Sequence, residues 1–127
     1  MIDRELLELA AKAAGLTKLT CWSEEIRDYD SPHYGMAALH ASGCGGECGS
    51  WNPLEDDGDA LRLAVKLRIA IHYEFSMDKE DEDVVEALVN QDRANVWRGM
   101  SMGLSGDANV AVRTAIVRAA AEIGKGM

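Results

Sequence analysis

The amino-acid sequence predicts an α+β fold in the order α-β-β-α-β-β-α, with three main helices and about four mainly antiparallel strands. Three observations carry this. A segment near the middle is apolar at helical spacing around most of its circumference. Residues 70–77 alternate between two faces without a break. Residues 3–14 and 108–123 each carry one apolar stripe of helical period. The middle segment, WNPLEDDGDALRLAVKLRI at 51–69, sets the plan. Ala60, Leu61, Leu63, Ala64, Val65 and Leu67 cover a wide arc, while Asp59, Arg62 and Lys66 leave one narrow polar stripe. A helix of that kind needs neighbours on several sides, which places it at the centre. With 127 residues the chain makes one domain, 1–127. A domain of this size buries roughly two-thirds of its unfolded surface and needs no covalent staple.

The first helix, 3–14, turns Leu6, Leu9, Ala10 and Ala13 to one face, widened by Leu7 and Ala14, with Asp3 as N-cap and Gly15 as the stop. Residues 18–24 form a strand with Thr20 and Trp22 on one face and Leu19 and Cys21 on the other. The polar run 25–33, which contains Pro32, is a connection. A second strand, 35–42, is built of small residues that suit close cover by helices. The glycine-dense stretch 43–50, GCGGECGS, is a loop, and Trp51 ends it by tucking over the start of the middle helix. Two starts suit that helix: Asn52 as cap with Pro53 at N1, or Asp56 or Asp57 as cap after an Asn52-Pro53 turn. The second is preferred, since the first leaves Gly58 inside the helix. In 70–77 Ile71, Tyr73, Phe75 and Met77 share one face of a strand. Residues 78–92 offer a short helix face in Val84, Val85, Ala87 and Leu88, weakened by like-charge pairs Asp78–Glu82 and Glu82–Glu86. Residues 95–102 are a further strand. The last helix, 108–123, is capped by Asp107, ends near Gly124, and carries the stripe Val112, Ala115, Ile116, Ala119, Ala120, Ile123.

The net charge of −9 disfavours direct nucleic-acid binding, which rests on Lys and Arg displacing counterions, and suits a partner with a basic surface. No basic-then-apolar leader opens the chain, and no apolar run reaches the ~18 residues of a membrane span. A cytoplasmic protein is expected, with its three cysteines reduced.

Three stretches, DRELLELAAKAAG at 3–15, WNPLEDDGDALRLAVKL at 51–67 and AVRTAIVRAAAEIG at 111–124, resemble the phage ABA sandwich domain family of small phage and prophage proteins. They cover the three helices and rather less than half the chain; GCGGECG and DKEDED do not match. The resemblance implies an α-β-α sandwich and a bacteriophage source, and hence a bacterial host cell. It brings no catalytic residues.

One metal constellation is visible. His40, Cys44 and Cys48 at x₃ spacing, with Cys21 added if the first two strands pair, form a Cys₃His set suited to zinc. The bland reading is a loop with reduced thiols beside a strand histidine. Two acidic clusters, Glu55, Asp56, Asp57, Asp59 and Asp78, Glu80, Asp81, Glu82, Asp83, lack calcium-loop spacing. They read first as helix-capping and solvated carboxylates, and second as a docking face for a basic partner. Ser105 in GLSG lacks the nucleophile-elbow pattern, His72 beside Glu74 reads as structural, and Gly124-Lys125-Gly126 is no phosphate loop. No cofactor is expected. The reading that follows is a non-enzymatic phage accessory protein that binds a host protein or complex, such as an anti-CRISPR inhibitor of host defence. A zinc- or small-ligand-binding module using loop 43–50 is the alternative. A homodimer joined at Trp97, Met100 and Met102 is a third.

Overall fold

A computed structural model of the protein describes residues 2–16, 18–27, 29, 31–41, 50–74, 83–92, 96–103 and 107–127. Three helices and antiparallel strands in two small sheets make the expected α+β fold. The elements are α1 (Asp3–Ala13), β1 (Leu19–Ser23), β2 (Ala38–Ala41), α2 (Asp57–Leu67), β3 (Ala70–Glu74), β4 (Val84–Asp92), β5 (Val96–Gly103) and α3 (Ala108–Lys125). The anticipated order is kept, with β4 as an additional strand.

β1 and β2 pair antiparallel, Cys21 opposite His40 and Trp22 opposite Leu39, with a bulge between Leu19 and Cys21. Trp51 exchanges both backbone hydrogen bonds with Leu39 and so extends this small sheet by one bridge. β3, β4 and β5 form the second sheet in that order. The helix face offered by Val84, Val85, Ala87 and Leu88 is corrected here: residues 84–92 are the middle strand. Val85, Ala87 and Val89 alternate inward at period two, and pairing on both edges overrides the weak helical spacing.

The central place expected for α2 belongs to α3. α3 packs on α1 and α2 with some of its sides and on β4 and β5 with another. Its alanines 111, 115, 119, 120 and 121, with Ile116 and Val117, are all buried. α2 instead buries one face, Ala60, Leu63 and Ala64, and leaves Leu61 (61%) and Val65 (57%) exposed. The wide apolar arc therefore lies half in water.

The ends of the helices follow local chemistry. α1 has Ile2 at its N-cap with no side-chain cap, so Asp3 sits in the first turn rather than capping. At its other end Gly15, at φ 76°, donates to Lys12 O while Leu16 donates to Ala11 O, the paired bonds of a Schellman stop. Asp107 caps α3 through Asn109 N–H. Within the described residues no helix is long and apolar enough to cross a membrane.

Candidate functional site

The residues that converge on one point come from the 31–36 turn, from Ser50–Asn52 and from the first turn of α2. Ser31-Pro32-His33 opens a tight turn. Tyr34 N–H donates to Ser31 O, Met36 N–H donates to His33 O, and Gly35 takes φ 79° and donates to Ile26 O. The turn is thereby fixed on buried Ile26, and it drives His33 inward until the residue is 1% exposed. Asn52 holds the second segment. Its side chain donates to Ala37 O and accepts from Leu54 N–H, and its carbonyl accepts from Glu55 and Asp56 N–H. That is the Asn52-Pro53 turn anticipated before α2. Asp56 then caps α2, accepting from Asp59 N–H at 3.0 Å.

A separation of three residues puts Asp56 and Asp59 on the same side of the helix start. Both face the His33 ring. His33 Nε2 lies 2.9 Å from Asp59 Oδ2 and 3.3 Å from Asp56 Oδ2. Neither approach has hydrogen-bond geometry, so Nε2 is buried without a hydrogen-bond partner although two carboxylate oxygens are close. The far side of the ring is well tied: Nδ1 lies 2.7 Å from Ser50 Oγ, Ser50 Oγ lies 2.8 Å from Ser31 Oγ, and Ser31 Oγ accepts from His33 N–H. Asp59 also accepts from Asn52 N–H on Oδ2 and from Arg62 Nη2 on Oδ1, at 2.6 Å.

The Asp56 carboxyl is held below its ordinary range. Burial pushes its pKa up, but the N–H groups of Asp59 and Gly58, with His33 and Arg62 close by, outweigh that and favour the charged form. Chemically the cluster presents one imidazole nitrogen and two carboxylates to a single point. Such a set either clamps a protonated ring or offers three ligand atoms to a cation.

The residues singled out in the sequence fare differently from one another. Of the first acidic cluster, Glu55 and Asp57 are exposed, Asp56 is half-buried and Asp59 is 5% exposed. The solvated reading is thus corrected for Asp59, which the His33 ring and the Asn52 N–H draw inside. Asp57 pairs with Arg113 of α3, which also donates to Leu54 O. Asp78, Glu80, Asp81 and Glu82 lie outside the described residues; Asp83 precedes β4 and is half-buried. In the zinc set, Cys21 stands opposite His40 in the β1–β2 register, and His40 Nε2 lies 2.7 Å from Ser23 Oγ. Cys44 and Cys48 lie outside the described residues. His33 was missed altogether. The signal that could have found it was the spacing of Asp56 and Asp59 with an unassigned histidine in an otherwise polar connection.

A cleft of about 240 Å³ opens where α2, β3 and α3 meet, lined by Asp57, Ala60, Leu61, Ile71, Tyr73, Asn109, Val112, Arg113 and Ile116. No family model, no curated protein and no solved structure matches the chain.

Proposed function

We propose that this chain is a non-enzymatic accessory protein that works by binding another protein or complex. In its concrete form it is phage-encoded and inhibits a bacterial host's defence machinery, as anti-CRISPR proteins do, acting in the host cytoplasm. The observation that carries the binding role is the apolar rim of the α2–β3–α3 cleft. Leu61 and Val65 on α2, Tyr73 on β3 and Val110 on α3 are each more than two-fifths exposed. Isolated surface apolar residues need no explanation, but Leu61 and Tyr73 line one cleft together, and Val65 and Val110 add exposed apolar surface on two of the elements that form it, a surface of the kind that partners cover. The net charge of −9 supports a partner with a basic surface and sets the contact's salt dependence. The phage assignment draws on the resemblance of 3–15, 51–67 and 111–124 to the phage ABA sandwich domain family.

The test is affinity capture from the bacterial host at low and moderate salt, run in parallel with the double variant Leu61→Glu, Tyr73→Glu. Capture of one complex by the unaltered chain, lost in the variant while circular dichroism is unchanged, supports the reading. Equal capture by both, or none by either, counts against it. Sedimentation of the free chain addresses the homodimer: Trp97, Met100 and Met102 stand on β5 opposite Asn90, Ala87 and Val85, and their side chains lie outside the description.

A further inference from the structure

We infer that His33, Asp56 and Asp59 form a binding site for a divalent first-row transition ion. Their ligand atoms, His33 Nε2 and one oxygen of each carboxylate, all lie within 4.8 Å of one another. Independently of the carboxylates, His33 is buried and its Nε2 lacks a hydrogen-bond partner. An orphaned ring nitrogen is costly in a dry site, by about 1–3 kcal/mol. The cost disappears if the nitrogen has a ligand on its own axis.

The geometry distinguishes a cation from a proton. A proton on Nε2 would call for one carboxylate oxygen straight ahead. Instead two oxygens stand off the axis, 2.9 and 3.3 Å from the nitrogen. An ion with bonds of about 2.0–2.2 Å to N and O ligands places neighbouring ligands roughly 2.8–3.6 Å apart, across octahedral and tetrahedral geometries. Both separations fall in that interval. The ion would sit on the nitrogen's axis, flanked by the two oxygens.

The surroundings support the same assignment. Nδ1 faces Ser50 Oγ, and Ser50 in turn faces Ser31. With Ser50 donating to Ser31, the ring donates its Nδ1–H to Ser50, and the Nε2 lone pair is left for the ion. A second bond of this kind fixes tautomer and ring angle in metal-binding histidines. Asn52 N–H and Arg62 hold the Asp59 carboxylate in the same way. Two carboxylates neutralise the two positive charges. One imidazole among oxygen ligands favours zinc or manganese over calcium or magnesium, which take all-oxygen sets. Asp56, the half-buried member, leaves that side open for water to complete the coordination.

The experiment uses the whole chain, stripped of metal with a chelator and titrated with zinc chloride and, separately, manganese chloride. Calorimetry gives the stoichiometry, and the imidazole ¹⁵N spectrum identifies the nitrogen. The expected result is one ion per chain and movement of the His33 Nε2 resonance to a metal-bound position. Asp56→Asn, which keeps a capping oxygen for Asp59 N–H, is expected to weaken binding by more than about tenfold, since even outer contacts of a metal ligand cost that much. Cys44→Ser with Cys48→Ser is expected to leave it unchanged. The inference is overturned if neither metal moves the His33 resonance in the unaltered chain. It is overturned equally if uptake survives Asp56→Asn and vanishes in the cysteine variant, which would return the ion to the Cys21–His40 set.

Discussion

At the scale of single residues, the ion pairs of this protein differ in worth because they differ in burial. Arg62 reaches Asp59 at 2.6 Å, but its side chain is 72% exposed. Water screens such a pair, so Arg62→Ala is expected to cost less than about 1 kcal/mol in urea denaturation. His33 is the opposite case. Its removal empties a buried volume, leaves Ser50 without its ring partner and sets two carboxylates facing each other. His33→Ala is therefore expected to cost roughly 2–4 kcal/mol in the metal-free chain, combining a cavity with unmet polar groups. A cost below that of Arg62→Ala would show that the His33 cluster is not a point of attachment between the 31–36 turn and α2. Arg68 offers a gain instead. It stands just past α2 at φ 57°, a left-handed conformation that costs side-chain-bearing residues about 1–2 kcal/mol. Arg68→Gly is expected to raise the urea midpoint, offset only by the freer unfolded chain. A lowered midpoint would mean that the Arg68 side chain holds more than its exposed contact to Val65 O.

At the scale of elements, α1 and α3 approach each other closely at Gly124. A methyl group on Gly124 would stand 2.1 Å from the Leu9 carbonyl oxygen and 2.8 Å from its carbon. Those are backbone atoms and cannot swing aside, so the helices must separate. Gly124→Ala is expected to destabilise by about 1–3 kcal/mol despite alanine's better helix propensity, read from the thermal midpoint. An unchanged midpoint would show that α1 is not held against that end of α3. The start of α3 was legible because capping is local: Asp107 and the apolar stripe are written in consecutive sequence, whereas Gly124 lies inside the helix, which runs on to Lys125 with Gly126 as its C-cap. The Asp56 cap of α2 was legible for the same reason. The centrality of α3 was not, because small residues such as Ala111 and Ala121 announce close packing only when a neighbour is known. Nor was β4. The run VVEALV carries apolar residues at both periods, and only pairing with β3 and β5 chooses between them. Leu61 and Val65 look like core in a helical projection, and nothing local says which arc the rest of the chain will cover.

At the scale of the whole molecule, the His33 cluster joins segments that are more than twenty residues apart, so the spacing of Asp56 and Asp59 shows its acidic half and not the partner it meets. Asp59 read as one tooth of a polar stripe; its place inside depends on a turn at 31–36 that no periodic pattern specifies. The same long-range character makes the cluster a reporter of global stability against acid. Asp56 has its pKa lowered from the ordinary 3.8 in the folded chain. The unfolded chain therefore takes up this proton at a higher pH than the folded one does. The stability contributed by the charged carboxylate is fully present above 3.8 and is lost as the pH falls through the folded value. Asp56→Asn removes the titrating group and keeps a capping oxygen. Urea midpoints measured from about pH 6 down to pH 2 are expected to show the variant less stable than the unaltered chain at the upper end, with the gap closing below the ordinary carboxyl range. Groups remote from Asp56 cancel in the difference between the two curves, which therefore reports Asp56 together with its neighbours in the His33 cluster. A gap that stays constant across the range would mean that Asp56 contributes through packing alone, and that its charge is not coupled to the His33 ring or to the N–H groups at the start of α2.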